Sequence, residues 1–169
     1  YTSSDGVLLS GDAKSILWFP MGKRGDYALP ATVTAVGPYA FRECSIGKFV
    51  FPAGLTKIGE CAFYNSKVKE VVLPSTLKML PTGVFQKCAD LKTVRLGNDV
   101  ELLSDYVFDG CPLTDLYITA PLPPVCGSNT FATTGADFVK TCRLHVPKGR
   151  KKYYRANAKW NVFDNIVEE

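Results

Sequence analysis

Residues 29–41 read LPATVTAVGPYAF and residues 51–63 read FPAGLTKIGECAF, so one phrase returns after 22 residues. A fixed short period constrains a fold more than composition does. Each copy is too small to cover its own apolar residues and must bury them against the next copy. The closing phenylalanine recurs as Phe41, Phe63, Phe85, Phe108 and Phe131, at steps of 22, 22, 23 and 23 residues. Between these marks, IGKFVF at 46–51, VKEVVL at 68–73, LKTVRL at 91–96 and LTDLYI at 113–118 all fit the pattern L-x-x-L-x-L.

The last three residues of each match alternate inward and outward with period two, which predicts a short strand. Leu29-Pro30 and Leu73-Pro74 end it with a proline that cannot continue a ladder, and a Val/Leu-Thr-x-Val/Ile-Gly run starts the return leg. Stacking such coils at about 4.8 Å closes a continuous core. The expected fold is an α/β-type repeat solenoid of about five coils with a parallel strand ladder.

A stack has two open ends, and both termini read as covers for them. Residues 7–20, VLLSGDAKSILWFP, predict an N-terminal β-hairpin about Ser10-Gly11-Asp12. Residues 144–147 supply a last strand, and 149–158 predict a C-terminal helical cap with Tyr154 and Ala158 on one face. Trp160, Phe163 and Ile166 anchor the tail. The single domain 1–169 thus divides into an N-terminal cap (1–28), regular repeats (29–118), an irregular last coil (119–143) and a C-terminal cap (144–169).

Chemistry is sparse along the chain. No GxxxxGK[ST], GxGxxG or GxSxG motif occurs, so phosphate cradles and nucleophile elbows are not expected, nor is a cofactor. The six cysteines lack paired CxxC spacing, and one histidine leaves no second metal ligand of its kind. Cys44, Cys88 and Cys111 each sit three residues after the repeat phenylalanine and read as small inward-facing free thiols. Cys126 and Cys142 flank the irregular coil; a bridge would close it, but spacing does not require one. Cys142 and His145 lie three apart on an extended segment, hence on opposite faces, and His145 reads as a solvent-facing strand residue.

Twenty Lys+Arg against sixteen Asp+Glu give a net +4, too mild to call for nucleic acid. The basic cluster at 148–155 reads as the wet face of the capping helix. No apolar run is long enough to span a membrane, and Tyr1 begins the chain without a signal-peptide pattern, so a processed or excised piece is expected.

The coil phrase is similar to the BspA-like leucine-rich repeat family of bacterial surface and secreted proteins, whose coils resemble LPxxLTxIGxxAFxxCxxLxxVxLP. FYNSKVKEVVLP (63–74) and FQKCADLKTVRLG (85–97) follow it closely, and residues 146–168 resemble the family's terminal segment. Ser66 in place of the cysteine, Met79-Leu80-Pro81 in place of Thr-x-Ile-Gly, and the 119–143 stretch depart from it. The resemblance implies an extracellular or cell-surface location, with adhesion or host-protein binding as the activity.

Where such a module binds is suggested by the strand residues that face away from the core. One outward row reads Ala28, Val50, Val72, Arg95, Tyr117 and His145; the row one pleat earlier reads Lys48, Glu70, Thr93 and Asp115. Arg95, Tyr117 and Asp115, flanked by Thr93, Glu70, Val72 and His145, are the candidate partner-binding residues, because they combine an aromatic with both charge signs. The expected function is a non-enzymatic, adhesin-like module binding an extracellular or host protein on a concave strand face. A glycan-binding or envelope-scaffold module is the rival, and it would show aromatic platforms, of which this ladder offers only Tyr117. A hydrolase on the irregular coil would need a second titratable partner near Cys142 or His145.

Overall fold

The structure, a computed structural model, describes residues 1–132 and 138–169. Its main feature is a front ladder of seven parallel rungs: Tyr27–Ala28, Phe49–Val50, Glu70–Val72, Thr93–Leu96, Asp115–Ile118, Arg143–Val146 and Asn165–Glu168. The Lys48–Glu70 bridge joins the first two rungs to the rest. Residue pairing is in register with the repeat, so Val72, Arg95, Tyr117, His145 and Val167 form one row.

A second strand side runs through Ser15–Trp18, Ala35–Val36 and Lys57–Ile58, then Met79–Leu80, Leu102–Leu103 and Val125–Cys126. Ahead of it, Thr2–Ser4, Val7–Leu9 and Ser15–Trp18 pair antiparallel. Among the described residues the third side holds no strand, yet it is bonded coil to coil just as regularly. Backbone N–H groups of Tyr39, Phe41 and Glu43 donate to carbonyls of Glu60, Ala62 and Tyr64 at 3.1, 2.7 and 2.8 Å, and Cys61, Phe63 and Asn65 repeat this one coil later at 3.0, 2.9 and 2.9 Å. Aiming these groups along the stack needs left-handed backbone at two places per coil: Tyr39, Cys61, Gly83 and Tyr106, and Glu43, Asn65, Lys87 and Gly110. A non-glycine residue there costs roughly 1–2 kcal/mol, which the inter-coil bonds and buried rings offset.

That third side corrects the α/β expectation. The return legs donate to neighbouring coils and not to their own i−4 carbonyls, so no repeat helix forms. Among the described residues the helices are short, Phe138–Thr141 and Lys151–Ala156, and the protein is a mostly-strand β-solenoid of about seven turns, not about five. The additional turns come from the chain's two ends. Phe19 joins the phenylalanine column 4.9 Å from Phe41, and Asn165–Glu168 adds a rung beyond the expected last strand.

The column continues through Phe41–Phe63 at 4.9 Å, Phe63–Phe85 at 5.5 Å and Phe85–Phe108 at 6.4 Å. Its next member is Phe138, 6.4 Å from Phe108, and not Phe131. Phe131 turns to Trp160 and Phe163, 5.0 and 5.1 Å away, because the longer 119–143 stretch slips the register; residues 133–137 within it lie outside the described residues. The tail locks onto the same stretch: Tyr154 Oη donates to Ala120 O at 3.0 Å and Trp160 Nε1 to Pro124 O at 2.8 Å, both side chains fully buried.

All six cysteines are thiols. Two have a regular job, since Cys88 Sγ donates to Phe63 O at 3.0 Å and Cys111 Sγ to Phe85 O at 2.9 Å, each tying a coil to the one before. Burial pushes Cys126 and Cys142 up to about 12, which keeps both protonated at neutral pH. Protein denatured without reductant should therefore titrate six thiols; four would reveal a Cys126–Cys142 bridge.

The glycine of the coil phrase answers to close approach. A Cβ on Gly59 would stand 2.6 Å from the Gly37 carbonyl carbon and nearer still to Pro38 N, whereas one on Gly54 meets nothing within 4 Å. Gly59→Ala should lower stability by roughly 1–3 kcal/mol through overpacking against backbone, and Gly54→Ala by under 0.5 kcal/mol, as read by urea denaturation. Equal midpoints for the two variants would contradict this stacking.

Candidate functional site

The front ladder brings the predicted outward residues together as a connected array. Backbone pairing sets Glu70 beside Thr93 and Thr93 beside Asp115 in one row, and Val72, Arg95, Tyr117 and His145 in the other. Because inward places are taken by Val71, Val94, Leu116 and Leu144, all fully buried, these side chains project from the opposite surface.

Their contacts run along the ladder. The Arg95 guanidinium lies 3.6 Å from the Tyr117 ring centre, and the Tyr117 ring stacks on His145 at 4.0 Å with 9° between planes. Arg95 also faces Glu70 at 3.8 Å, but both side chains are about half exposed, so this pair adds little next to the stack. Thr93 is partly covered, and Val72, which pairs with Arg95, is half exposed.

Asp115 and His145 depart from expectation. Both are buried, at 8% and 7% exposure, so His145 is no solvent-facing residue and Asp115 is not uncommitted. Arg143, one pleat before His145, grips Asp115 with Nε on Oδ1 at 2.8 Å and Nη2 on Oδ2 at 3.1 Å. His145 Nε2 meets Asp115 Oδ1 at 2.9 Å and Nδ1 meets Glu169 Oε1 at 2.7 Å, so the ring is clamped between two carboxylates under Tyr117. Burial raises the Asp115 pKa, yet hydrogen bonds from Arg143, His145 and Thr114 outweigh it and hold the carboxyl at about 2.

Arg143 and Glu169 were missed as site residues. The pleat spacing that selected Asp115 also points to Arg143, so that signal was present; Glu169 has none, since it reaches His145 only through the added seventh rung. Beside the clamp lies a cavity of about 220 Å³ between Tyr117, Ile118, His145, Val146, Pro147 and Glu169. Its lining is mainly apolar and aromatic, with polar Thr119 and the Glu169 carboxylate beside them.

The arrangement suits contact better than catalysis. Both His145 nitrogens are engaged, so neither is free to take a proton from a substrate, and Cys142 is a fully buried thiol donating to Arg143 O. The helix Lys151–Ala156 holds Lys151 and Lys152 in solvent, while the Arg155 guanidinium donates to the carbonyls of Phe163 and Asp164 at 2.8 and 2.9 Å and so braces the tail.

A family model for the BspA type leucine-rich repeat region matches residues 24–135 in six copies. The chain belongs to the BspA-type leucine-rich repeat family. Repeats of this kind are in general non-catalytic scaffolds. Two solved structures share the fold. A leucine rich cell surface protein from Faecalibacterium prausnitzii superposes with TM-score 0.64 at 21% identity over 79% of this chain, and the pneumococcal vaccine antigen PcpA with 0.63 at 22% over 99%. This BspA-type chain spans 39% and 47% of those two proteins, under half of each. No curated protein matches it.

The Asp115 network makes an acid-range prediction. Asp115→Asn should cost about 1–2 kcal/mol at pH 7, toward the lower end of charged hydrogen bonds because Arg143 remains 61% exposed and regains water. A carboxyl held at about 2 when folded, against 3.8 ordinarily, contributes stability that is complete above about 3.8 and lost as pH falls toward 2. The melting-temperature gap between parent and variant should therefore narrow between pH 4 and pH 2; a gap constant over that interval would show that Asp115 is not so held.

Proposed function

We propose that this chain is a non-enzymatic protein-interaction module of a bacterial cell-surface protein, binding an extracellular partner on the outward face of its front ladder. What carries the reading is the Arg95–Tyr117–His145 stack. Its rings and guanidinium are held in place before any partner arrives, by each other and by Asp115, Arg143 and Glu169. Arg and Tyr are the side chains that most often dominate interface energetics, and ordering them in advance removes part of the entropy cost of binding. The adjacent 220 Å³ cavity offers a place for an apolar side chain of the partner. The surface location is supported by family membership and by the cell surface protein that shares the fold.

Two side chains test this without touching the core. The double variant Tyr117→Ala, Arg95→Glu should keep its melting temperature within a few degrees, yet lose at least about tenfold in affinity, or about 1.4 kcal/mol, for an extracellular host protein that the parent captures. Lys151→Ala with Lys152→Ala, which leaves Arg155 and its tail contacts intact, should bind as the parent does. The reverse pattern, measured by surface plasmon resonance, would move the site to the basic helix and refute the front-face reading.

A further inference from the structure

Away from the front ladder, Trp18, Met21, Tyr39, Arg42 and Glu43 line an open cleft of about 350 Å³ on the N-terminal coils, within the size range of small-ligand sites. Trp18 is 47% exposed and Tyr39 51%, although Phe19, one residue after Trp18, and Phe41, two after Tyr39, are buried in the phenylalanine column. The core is thus complete without the two outer rings. Nor does the coil demand an aromatic at Tyr39, because the equivalent left-handed positions in the next two coils carry Cys61 and Gly83.

The polar side of the cleft is a pair of opposite charges. Arg42 Nε and Nη2 each lie 3.1 Å from Glu43 Oε1, and the guanidinium sits 5.6 Å from the Tyr64 ring centre, so the two side chains present donors and an acceptor side by side with no net charge. A cationic ligand would meet Arg42 and an anionic one Glu43. A proline-rich strand, another frequent occupant of aromatic grooves, offers carbonyl acceptors but few donors for Glu43.

We propose that this cleft binds a neutral hexopyranose unit of a glycan. A pyranose ring has a face of C–H groups that packs on electron-rich indole and phenol rings, and its hydroxyls each donate and accept. Trp18 and Tyr39 supply the platform; Arg42 donates to, and Glu43 accepts from, neighbouring hydroxyls. The aromatic platform that the front ladder lacks is therefore built at the other end of the solenoid, from residues that share nothing with the Arg95–Tyr117–His145 stack.

Tryptophan emission can read the cleft directly, because Trp160 is fully buried and Trp18 is the exposed indole. Maltohexaose, cellohexaose and N-acetylchitohexaose are titrated against the protein, with 3′-sialyllactose and a proline decamer as competing classes. At least one neutral oligosaccharide should give a saturable blue shift and protect against acrylamide quenching. Tyr39→Gly, which suits the left-handed backbone at φ 56° and so preserves the fold, should weaken that binding at least tenfold. Glu43→Gln should weaken it as well, and Tyr117→Ala with Arg95→Glu should leave it unchanged. The proposal is overturned if none of the three neutral sugars gives a saturable response, or if only sialyllactose or the proline decamer does. It also fails if binding survives Tyr39→Gly and Glu43→Gln, or is lost in the front-face double variant, which would place the sugar on the other surface.

Discussion

Every feature of this solenoid depends on backbone hydrogen bonds that run from one coil to the next on all three sides. On the third side, which holds no strand among the described residues, Phe41, Phe63 and Phe85 still donate to Ala62, Val84 and Val107 one coil on. That bonding requires equivalent residues to lie one above another, and the 22- and 23-residue period is the sequence expression of that requirement. Strained left-handed residues are tolerated because the bonds they aim are shared by neighbours in both directions. The phenylalanines stack because the backbone has already placed them in a column, and burial of each ring adds several kcal/mol that no single coil could secure alone.

Where the period slips, the chain changes strategy. The stretch from 119 to 143 is longer than a coil's return leg, and the phenylalanine that would have continued the column leaves it for Trp160 and Phe163. Phe138 takes the vacated contact with Phe108. Two aromatic side chains with a polar atom, Tyr154 and Trp160, then tether the tail to carbonyls of the irregular segment. The tail returns to the ladder as a seventh rung and so brings Glu169 to His145.

That return shapes the front face. Its first half, with exposed Val50 and Val72 and the Lys48–Glu70 neighbours, is an ordinary solvated sheet surface. Its second half is an ordered stack of guanidinium, phenol and imidazole over a buried carboxylate. The difference comes from Asp115, whose two oxygens collect Arg143 and His145 and thereby fix the plane on which Tyr117 lies. A binding surface on a repeat protein need not be uniform along the stack, and here order increases toward the end where the repeat itself is least regular.

The sequence by itself determined the coil, its period, the direction of each front-strand residue and the identity of the outward rows. These follow from periods of two and of 22 residues, which are translations along one chain and leave equally spaced marks. Six of the seven front rungs and the whole row from Ala28 to His145 were legible on that basis. Tertiary structure alone decided what broke the translation. Phe19 lacked the Ala or Val that marks later copies, Phe131 and Phe138 exchanged roles across an irregular segment, and Glu169 met His145 across 24 residues from a rung with no leucine pattern. The pairing of Trp18 with Tyr39 in one cleft was equally hidden, because it joins non-equivalent positions of adjacent coils. Contacts between equivalent positions repeat and can be read; contacts between non-equivalent positions occur once, and only the assembled fold puts the partners side by side.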